Sequence, residues 1–250
     1  MITVDKQKVA SRFGKNVGTY DKEAFIQKEI TNELYKEIVK RETHFHKAFE
    51  IGCGSGFLTK QIEKNISGDY IVNDLDPLCT HQLLREFPRL QFKVGDIENI
   101  PLPQHLDLVI STSVLQWMED IDALLKRIYN ALEPEGHFAF STFGPSNFLE
   151  IKALLNQGLE YLSMEEWKFL LQKNGFQLLD AWEWKEECLF DSGTAVLKHM
   201  KNTGVNGTAK NQKVWNARIL QRFNTEYQDH FSKNDKVTLT YHPLFFILKK

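Results

Sequence analysis

The chain is predicted to adopt an α/β fold built on a doubly wound, mostly parallel seven-stranded sheet. Short apolar segments alternate with amphipathic segments of helical length between residues 46 and 143. A glycine-dense turn follows the first apolar segment, and acidic residues end the next two. Strands that alternate with helices of this length imply right-handed crossovers and a parallel sheet covered on both faces.

Apolar residues at helical spacing predict an amphipathic helix over residues 21–41, ahead of the sheet. The next strands are predicted to end near Ile51, Asp74 and Asp96, with a helix over about 57–64 after the first of them. The segments HLDLVISTS and GHFAFSTF predict the fourth and fifth strands, and MEDIDALLKRIYNALE predicts the helix between them. This β-α alternation defines the core of the fold.

After the fifth strand, helices are predicted around residues 147–155 and 163–173, the second with Ser163 as its N-cap. One strand is expected over residues 176–188, and a terminal strand over KVTLTYHPLFFILKK. Between these strands lie about 45 residues that predict two helices around a Gly/Asn loop, and insertions of this length usually serve a function.

The 250 residues are expected to form a single domain over 1–250, with N-terminal lid helices over 1–43 and a helical insertion over 190–235. The net charge of −2 argues against a protein that coats nucleic acid through bulk positive charge. Three widely separated cysteines without a CxxC pair predict neither a disulfide framework nor a metal site. No apolar run approaches the length of a membrane span, so a cytoplasmic protein without a membrane partner is expected.

The sequence EIGCGSG, residues 50–56, lies where the first strand meets the following helix, and glycine there allows a tight turn and close approach of a ligand. Asp74 ends the second strand, where doubly wound folds bind a ribose diol, and Asp96 ends the third. A dinucleotide-binding turn has the pattern GxGxxG, whereas this turn is GxGxG. The carboxylate of Glu50 would repel a pyrophosphate but suits a cationic sulfonium or ammonium, which favours S-adenosylmethionine over NAD.

The segment STSVLQW, residues 111–117, follows the fourth strand and carries an amide and an indole donor. A carboxylate acceptor is already ionised at neutral pH and needs only to be oriented, whereas an amine or hydroxyl acceptor would need a general base. The segment contains no His or Asp to act as that base. It therefore favours a carboxylate acceptor, although Trp117 alone is also compatible with a core aromatic residue.

The motifs EIGCGSG, NDLD, GDIE and LEPEG resemble those of class I methyltransferases. With VASRFGKNVGTYDKEAFIQ, STSVLQWMED, FSTFGPSNFLEIK, VLKHMKNTGVNGTA and LTYHPLFFILKK, the chain resembles the malonyl-acyl-carrier-protein O-methyltransferases of biotin synthesis over about residues 9–248. The resemblance implies methyl transfer to the free carboxyl of a malonyl thioester, which masks its charge before elongation by fatty-acid synthesis enzymes. This chain departs from the family in two places: Glu135 stands where the usual motif PGG has a further glycine beside Gly136, and Thr112-Ser113 stand where Asn is common.

The resemblance also implies roles for individual residues. Tyr20, Gln116 and Trp117 would face the methyl group and the acceptor. Asp74 would hold the ribose of S-adenosylmethionine, and Asp96 with Ile97 would contact its adenine. The residues expected at the cofactor are Glu50, Gly52, Cys53, Gly54, Gly56, Asp74, Leu75, Asp96, Ile97 and Ser111.

The insertion carries a concentration of positive charge. Residues 192–225 contain six basic residues and no Asp or Glu, so this stretch is +6. These residues are Lys198, Lys201, Lys210, Lys213, Arg218 and Arg222. They predict a docking surface for an acidic acyl carrier protein. A solvated basic face and an RNA-binding groove are the alternatives, the latter with few aromatics for base stacking.

Three other functions remain open from the sequence. A methyltransferase for a free dicarboxylic acid, resembling the aconitate enzymes, would also carry a QW pair but would need no docking surface. An idle S-adenosylmethionine-binding adaptor is disfavoured by the intact EIGCGSG together with Asp74, Asp96 and Tyr20. RNA methylation is disfavoured by the overall charge and by the absence of an amine-type motif.

Overall fold

The structure is a computed structural model that describes residue 6 and residues 23–156, 158–203 and 215–250. A seven-stranded sheet in the order β3-β2-β1-β4-β5-β10-β6 forms its centre. Its strands are β1 (Ala48–Ile51), β2 (Tyr70–Asp74), β3 (Gln91–Val94), β4 (Leu106–Thr112), β5 (Leu132–Phe143), β6 (Gln177–Glu183) and β10 (Pro243–Lys249). Neighbours from β3 to β5 pair in parallel, and β10 pairs antiparallel with both β5 and β6. The predicted α/β class and mostly parallel sheet are confirmed.

A second sheet of three strands, in the order β7-β9-β8, stands beside the first. Its strands are β7 (Glu186–Phe190), β8 (Ser232–Lys233) and β9 (Lys236–Tyr241). The helices of the described residues are α1 (Phe25–Val39), α2 (Thr59–Ile62), α3 (Leu78–Glu86), α4 (Ile121–Ala131), α5 (Leu149–Leu155), α6 (Met164–Lys173), α7 (Gly193–Asn202) and α8 (Ala217–Phe231). A 3₁₀ turn, Glu63–Asn65, follows α2, so the helix expected over 57–64 is shorter than predicted.

Alternate residues of the sheet enter two different apolar cores. Ala48 packs with the buried face of α1, whereas Phe49 packs with α4 and α6 on the opposite side. This period of two is the geometry of a strand, and it explains why the central strands are apolar on both faces. The N-cap of α6 is Ser163 as predicted, in a capping box with Glu166.

Two strands predicted as continuous are each divided between the two sheets. Residues 176–188 form β6 and β7, and the terminal segment forms β9 and β10 with His242 between them. Pro243 has no amide hydrogen to donate to a ladder, which confines it to the first position of a strand. Strand β6 pairs with β10, and β7 pairs with β9. The two segments of the chain therefore cross from one sheet to the other next to each other.

Residues 134–136 form an irregularity inside β5. The pairing register with β4 shifts between Leu106 and Leu108, and Glu135 adopts a left-handed conformation with φ of 65°. Its side chain is exposed and forms an ion pair with Lys249 at 2.7 Å. A non-glycine residue in this conformation is strained, since its Cβ approaches the following carbonyl oxygen.

Substituting Glu135→Gly is expected to raise the melting temperature by about 2 °C, because removing the strain outweighs the loss of an exposed ion pair. Gly136→Ala is the matched contrast, since its Cβ would lie 2.8 Å from the Glu133 carbonyl oxygen and 2.9 Å from that of Leu106. That variant should melt at a lower temperature. Thermal unfolding followed by circular dichroism compares the two, and a lower melting temperature for Glu135→Gly would contradict the assignment of strain.

Within the described ranges, no helix combines the length and apolar character that crossing a bilayer requires. In the same part of the chain, no group of three or more His, Cys, Asp or Glu side chains is arranged to hold a metal ion.

Candidate active site

A cavity opens at the carboxyl ends of β1, β2, β3 and β4, where the chain leaves four neighbouring strands of the parallel sheet. The glycine turn forms its floor, and α1 contributes Gln27 and Thr31 from the side of the neighbouring strands β4 and β5. Ligands of open α/β sheets bind at this edge, because the strand order reverses there and leaves a crevice. The topology thus brings the segments identified in the sequence to one place.

The three glycines of the turn have different roles. All have positive φ, at 70° for Gly52, 52° for Gly54 and 83° for Gly56. A Cβ on Gly54 would meet no atom within 4 Å, so this backbone is open to a ligand. A Cβ on Gly52 or Gly56 would instead collide with Val114 or Leu83, at 2.4 and 2.2 Å. Gly56 packs against α3 and does not line the cavity.

Asp74 lies at the end of β2 with its carboxylate beside the glycine turn. Its Oδ2 accepts a hydrogen bond from the Gly54 amide at 2.8 Å, and its Oδ1 accepts one from the Asp76 amide at 2.9 Å. Burial raises the pKa of the Asp74 carboxyl above its ordinary value. Each carboxylate oxygen can accept a second hydrogen bond, so Asp74 can still receive a pair of hydroxyl donors. Asp76 does not line the cavity, and its Oδ1 accepts a hydrogen bond from the amide of Leu78 at the start of α3.

The loop after β3 carries a second acidic site. Lys6 Nζ donates to both oxygens of Asp96, at 2.9 and 2.8 Å, and also contacts the carboxylate of Glu98. Burial alone would lower the pKa of Lys6, but the hydrogen bonds to Asp96 and Glu98 leave it raised. Asn99 and the Glu98 amide donate to the same carboxylate, so a ligand amino group at Asp96 must take the place of one of these donors.

Unpartnered polar atoms are concentrated at this cavity. Five buried side-chain oxygens of the described residues lack a hydrogen-bond partner, and three of them belong to residues that line the cavity. These three are Gln27 Oε1, Ser55 Oγ and Ser113 Oγ. Buried polar groups are normally paired, so these three oxygens are available to hydrogen-bond a polar ligand in the cavity.

Several residues expected at the cofactor lie in the lining of the cavity, namely Gly52, Cys53, Gly54, Asp74, Leu75, Asp96 and Ile97. Cys53 lines it as a thiol whose pKa burial raises well above the ordinary value. Ser111 is fully buried and donates to the Ile51 carbonyl at 3.0 Å, so it braces β4 against β1 instead of lining the cavity.

Glu50 also differs from the expectation. It does not line the cavity, and its buried carboxylate accepts hydrogen bonds from Thr59 at 2.8 Å and from the Tyr70 hydroxyl. The alternation along β1 places Glu50 on the same face as Ala48 and Tyr70. Burial raises its pKa to about 7, so Glu50 is not a permanent negative charge beside a cation.

The acceptor residues are only partly brought together. Trp117 lines the cavity and packs with Leu159 and Tyr161. Gln116 does not line it, because its Nε2 donates to the Ser113 carbonyl at 2.6 Å and its Oε1 accepts from Thr142 at 3.3 Å. Tyr20 lies outside the described residues.

Comparison with known proteins identifies the group to which the chain is related. Residues 49–140 match the methyltransferase domain family. A malonyl-[acyl-carrier protein] O-methyltransferase of Acinetobacter baylyi is 38% identical, covering 100% of this chain and 98% of its own. The enzyme so named from Haemophilus influenzae is 37% identical, covering 100% of this chain and 96% of its own. The one from Bacteroides thetaiotaomicron is 36% identical and covers 99% of each chain. This chain belongs to the malonyl-acyl-carrier-protein O-methyltransferase family.

Solved structures agree on the fold of this methyltransferase. The YcgJ protein of Bacillus subtilis has a TM-score of 0.62 at 15% identity, covering 88% of this chain and 98% of its own. The N-methyltransferase NodS of Bradyrhizobium japonicum, in complex with S-adenosyl-L-homocysteine, has a TM-score of 0.53 at 13% identity, with coverages of 89% and 86%. S-adenosylmethionine is the cofactor of the family's methyltransferase domain, and the open backbone at Gly54, the acceptor Asp74 and the unpartnered oxygens suit it.

Several residues of this cavity were not predicted from the sequence. Lys6, Gln27 and Thr31 line it, together with Phe57, Cys79 and Met118. Gln27 is part of the segment VASRFGKNVGTYDKEAFIQ on which the family resemblance rests, and this was its one signal in the sequence. Lys6 carried no such signal, because its partners Asp96 and Glu98 are 90 and 92 residues away.

Proposed function

We propose that this enzyme transfers the methyl group of S-adenosylmethionine to the free carboxylate of a malonyl group carried as a thioester on acyl carrier protein. The observation that carries the proposal is identity of 35–38% to several enzymes of that name over nearly their whole length. The product, a malonyl methyl ester, would enter fatty-acid synthesis as a precursor of the pimeloyl part of biotin.

The reaction requires little from the protein beyond binding and orientation. The methyl carbon leaves the sulfonium as a carboxylate oxygen bonds to it, and the cofactor departs as a neutral thioether. No proton is transferred, because a carboxylic acid with a pKa near 4 is ionised at neutral pH. Trp117 at the cavity wall would help to exclude water, so that sulfonium and carboxylate neutralise each other away from solvent.

Asp74 is proposed to bind the ribose diol, and Asp96 with Ile97 the adenine. Support comes from their positions at the ends of neighbouring strands β2 and β3 and from the free acceptor capacity of Asp74. Gln116 is proposed to help orient the acceptor indirectly. Its amide donates a hydrogen bond to the carbonyl of Ser113, and Ser113 lines the cavity.

Carrier docking is proposed for the surface formed by α7 and α8, which pack together through Gly193 and Phe223. Lys198 and Lys201 lie exposed on α7, and Arg218 and Arg222 on α8. Arg222 forms an ion pair with Glu226 at 2.7 Å, so its charge is partly compensated within the helix. Lys210 and Lys213 fall outside the described residues.

The proposal is tested by incubating the purified chain with labelled S-adenosylmethionine and a set of acceptors. Malonyl carrier protein should accept the label, and acetyl carrier protein, which has no free carboxylate, should not. Succinyl carrier protein tests the chain length, and free aconitate tests the alternative of a free dicarboxylic acid. Labelling of the free acid at a rate equal to that of malonyl carrier protein would favour the alternative.

Tyr20 remains a proposed acceptor contact. Tyr20→Phe is expected to lower turnover on malonyl carrier protein and to leave the affinity for S-adenosylhomocysteine unchanged, because the hydroxyl would aim the carboxylate rather than hold the cofactor. Steady-state kinetics with calorimetry separates the two quantities. Unchanged turnover would show that the ring only packs and that its hydroxyl makes no contact needed for the reaction.

A further inference from the structure

Gln27 carries a side chain whose hydrogen bonding is incomplete. The residue is 5% exposed, lies in the first turns of α1 and lines the cavity. Among the described residues, no donor reaches its Oε1. A buried amide oxygen without a donor is costly, and native proteins rarely keep one unless a ligand or water supplies the missing hydrogen.

The neighbouring polar group of α1 does not share this property. Thr31 lines the cavity one turn further along, but its hydroxyl donates to the backbone carbonyl of Gln27 at 2.8 Å. The rest of the inward face of α1 is apolar, with Ile26, Ile30 and Leu34 in the core. Gln27 therefore presents an unsatisfied acceptor to the cavity from an otherwise apolar helix face.

The position of α1 restricts which part of the cofactor can meet this acceptor. The helix packs against β4, β5 and β10, on the far side of β1 from β2 and β3. The proposed ribose and adenine contacts, Asp74 and Asp96, follow β2 and β3. The nucleoside end of the cofactor thus belongs to one half of the cavity, and the amino-acid end to the half that Gln27 faces.

The amino-acid end offers two charged groups, an ammonium and a carboxylate. An amide oxygen accepts hydrogen bonds and repels a carboxylate, whereas an ammonium carries three donors. We infer that Gln27 Oε1 accepts a hydrogen bond from the α-ammonium group of S-adenosylmethionine. Gln27 is then a cofactor-binding residue, and this inference rests on the proposed placement of the nucleoside at Asp74 and Asp96.

The test is calorimetric titration of the full chain with four ligands. These are S-adenosylhomocysteine, its deaminated analogue, its decarboxylated analogue and 5′-methylthioadenosine, which lacks the amino-acid end. Gln27→Met removes the acceptor at nearly constant volume. It should weaken the binding of S-adenosylhomocysteine and of the decarboxylated analogue about tenfold, which is the size of a hydrogen bond to a charged group. The affinities for the other two ligands should stay unchanged.

Two further variants control the experiment. Gln27→Glu keeps an acceptor oxygen and should retain the affinity for S-adenosylhomocysteine. Gln172→Met makes the same change at an exposed position of α6 and should alter no affinity. If a thermal melt shows that Gln27→Met does not fold, Gln27→Asn is used instead. This substitution draws the amide back by one methylene, and the same changes in affinity are expected.

Two results would overturn the inference. Equal losses for all four ligands would show that Gln27 only packs the helix onto the sheet. A loss confined to ligands that keep the carboxylate would show that Gln27 faces that group instead. Failure of the proposed nucleoside site would give a different result. In that case 5′-methylthioadenosine would bind the Asp74→Ala variant and the unchanged chain with the same affinity.

Discussion

Asp74→Ala is expected to weaken the binding of S-adenosylhomocysteine by at least about 100-fold. The substitution removes two hydrogen bonds from a charged acceptor to the ribose diol, each of roughly 1.5–3 kcal/mol. It also removes the acceptors of the Gly54 and Asp76 amides, which hold the glycine turn against β2. Isothermal calorimetry measures the loss directly.

Asp76→Asn provides the matched control for this prediction. Asp76 lies two residues away and is 7% exposed, but its carboxylate bonds the start of α3. Asparagine can make the same capping bond, so this variant should fold and bind S-adenosylhomocysteine as the unchanged chain does. Asp74→Ala with full affinity would show that the ribose is held elsewhere, and a loss confined to Asp76→Asn would move the role to that residue.

Reversing Lys198, Lys201 and Arg218 to Glu is expected to raise KM for malonyl carrier protein several-fold. Turnover on a small malonyl thioester should stay almost unchanged, because remote charges act on encounter and orientation and the reaction takes place in the cavity. The activity of the unchanged enzyme on the carrier should fall as salt rises, since the field is screened over about 10 Å at 0.1 M.

Arg222→Glu is the internal comparison for this surface. Its guanidinium is already paired with Glu226, so reversing it alone should affect KM less than reversing Arg218 alone on the same helix. Equal losses on carrier-bound and small thioesters in the triple variant would show that these residues support the fold or the cavity. The docking surface would then have to be sought elsewhere.

Much of the sheet could be predicted from the sequence because its signals are local. The short, largely apolar segment Ala48–Ile51 and the residues of the glycine turn after it are recognised from neighbours within a few positions. The division of β9 from β10 could not be predicted from apolar content alone, since both halves of KVTLTYHPLFFILKK carry apolar residues typical of a strand. Pro243 was the local signal for the break, but the pairing of each half depends on strands far away in the sequence.

The candidate site shows the same limit. Asp74 was placed by its position at a strand end, whereas the orientation of Glu50 depends on Thr59 and Tyr70, which surround its carboxylate. Ser111 was expected at the cofactor, yet its hydroxyl satisfies the Ile51 carbonyl between two paired strands. Strand alternation decides which side chains face a cavity, and the face cannot be assigned until the packing helices are known.

We expect the methyl group to be transferred to the free carboxyl of a carrier-bound malonyl group. Mass spectrometry of the reacted carrier protein tests it most directly, by fragmenting the prosthetic arm from the protein and locating the added methyl group. We expect one methyl on the malonyl end of the ejected arm, as an ester that mild alkali removes. A methyl group on the carrier polypeptide, or an equal yield from acetyl carrier protein, would contradict it.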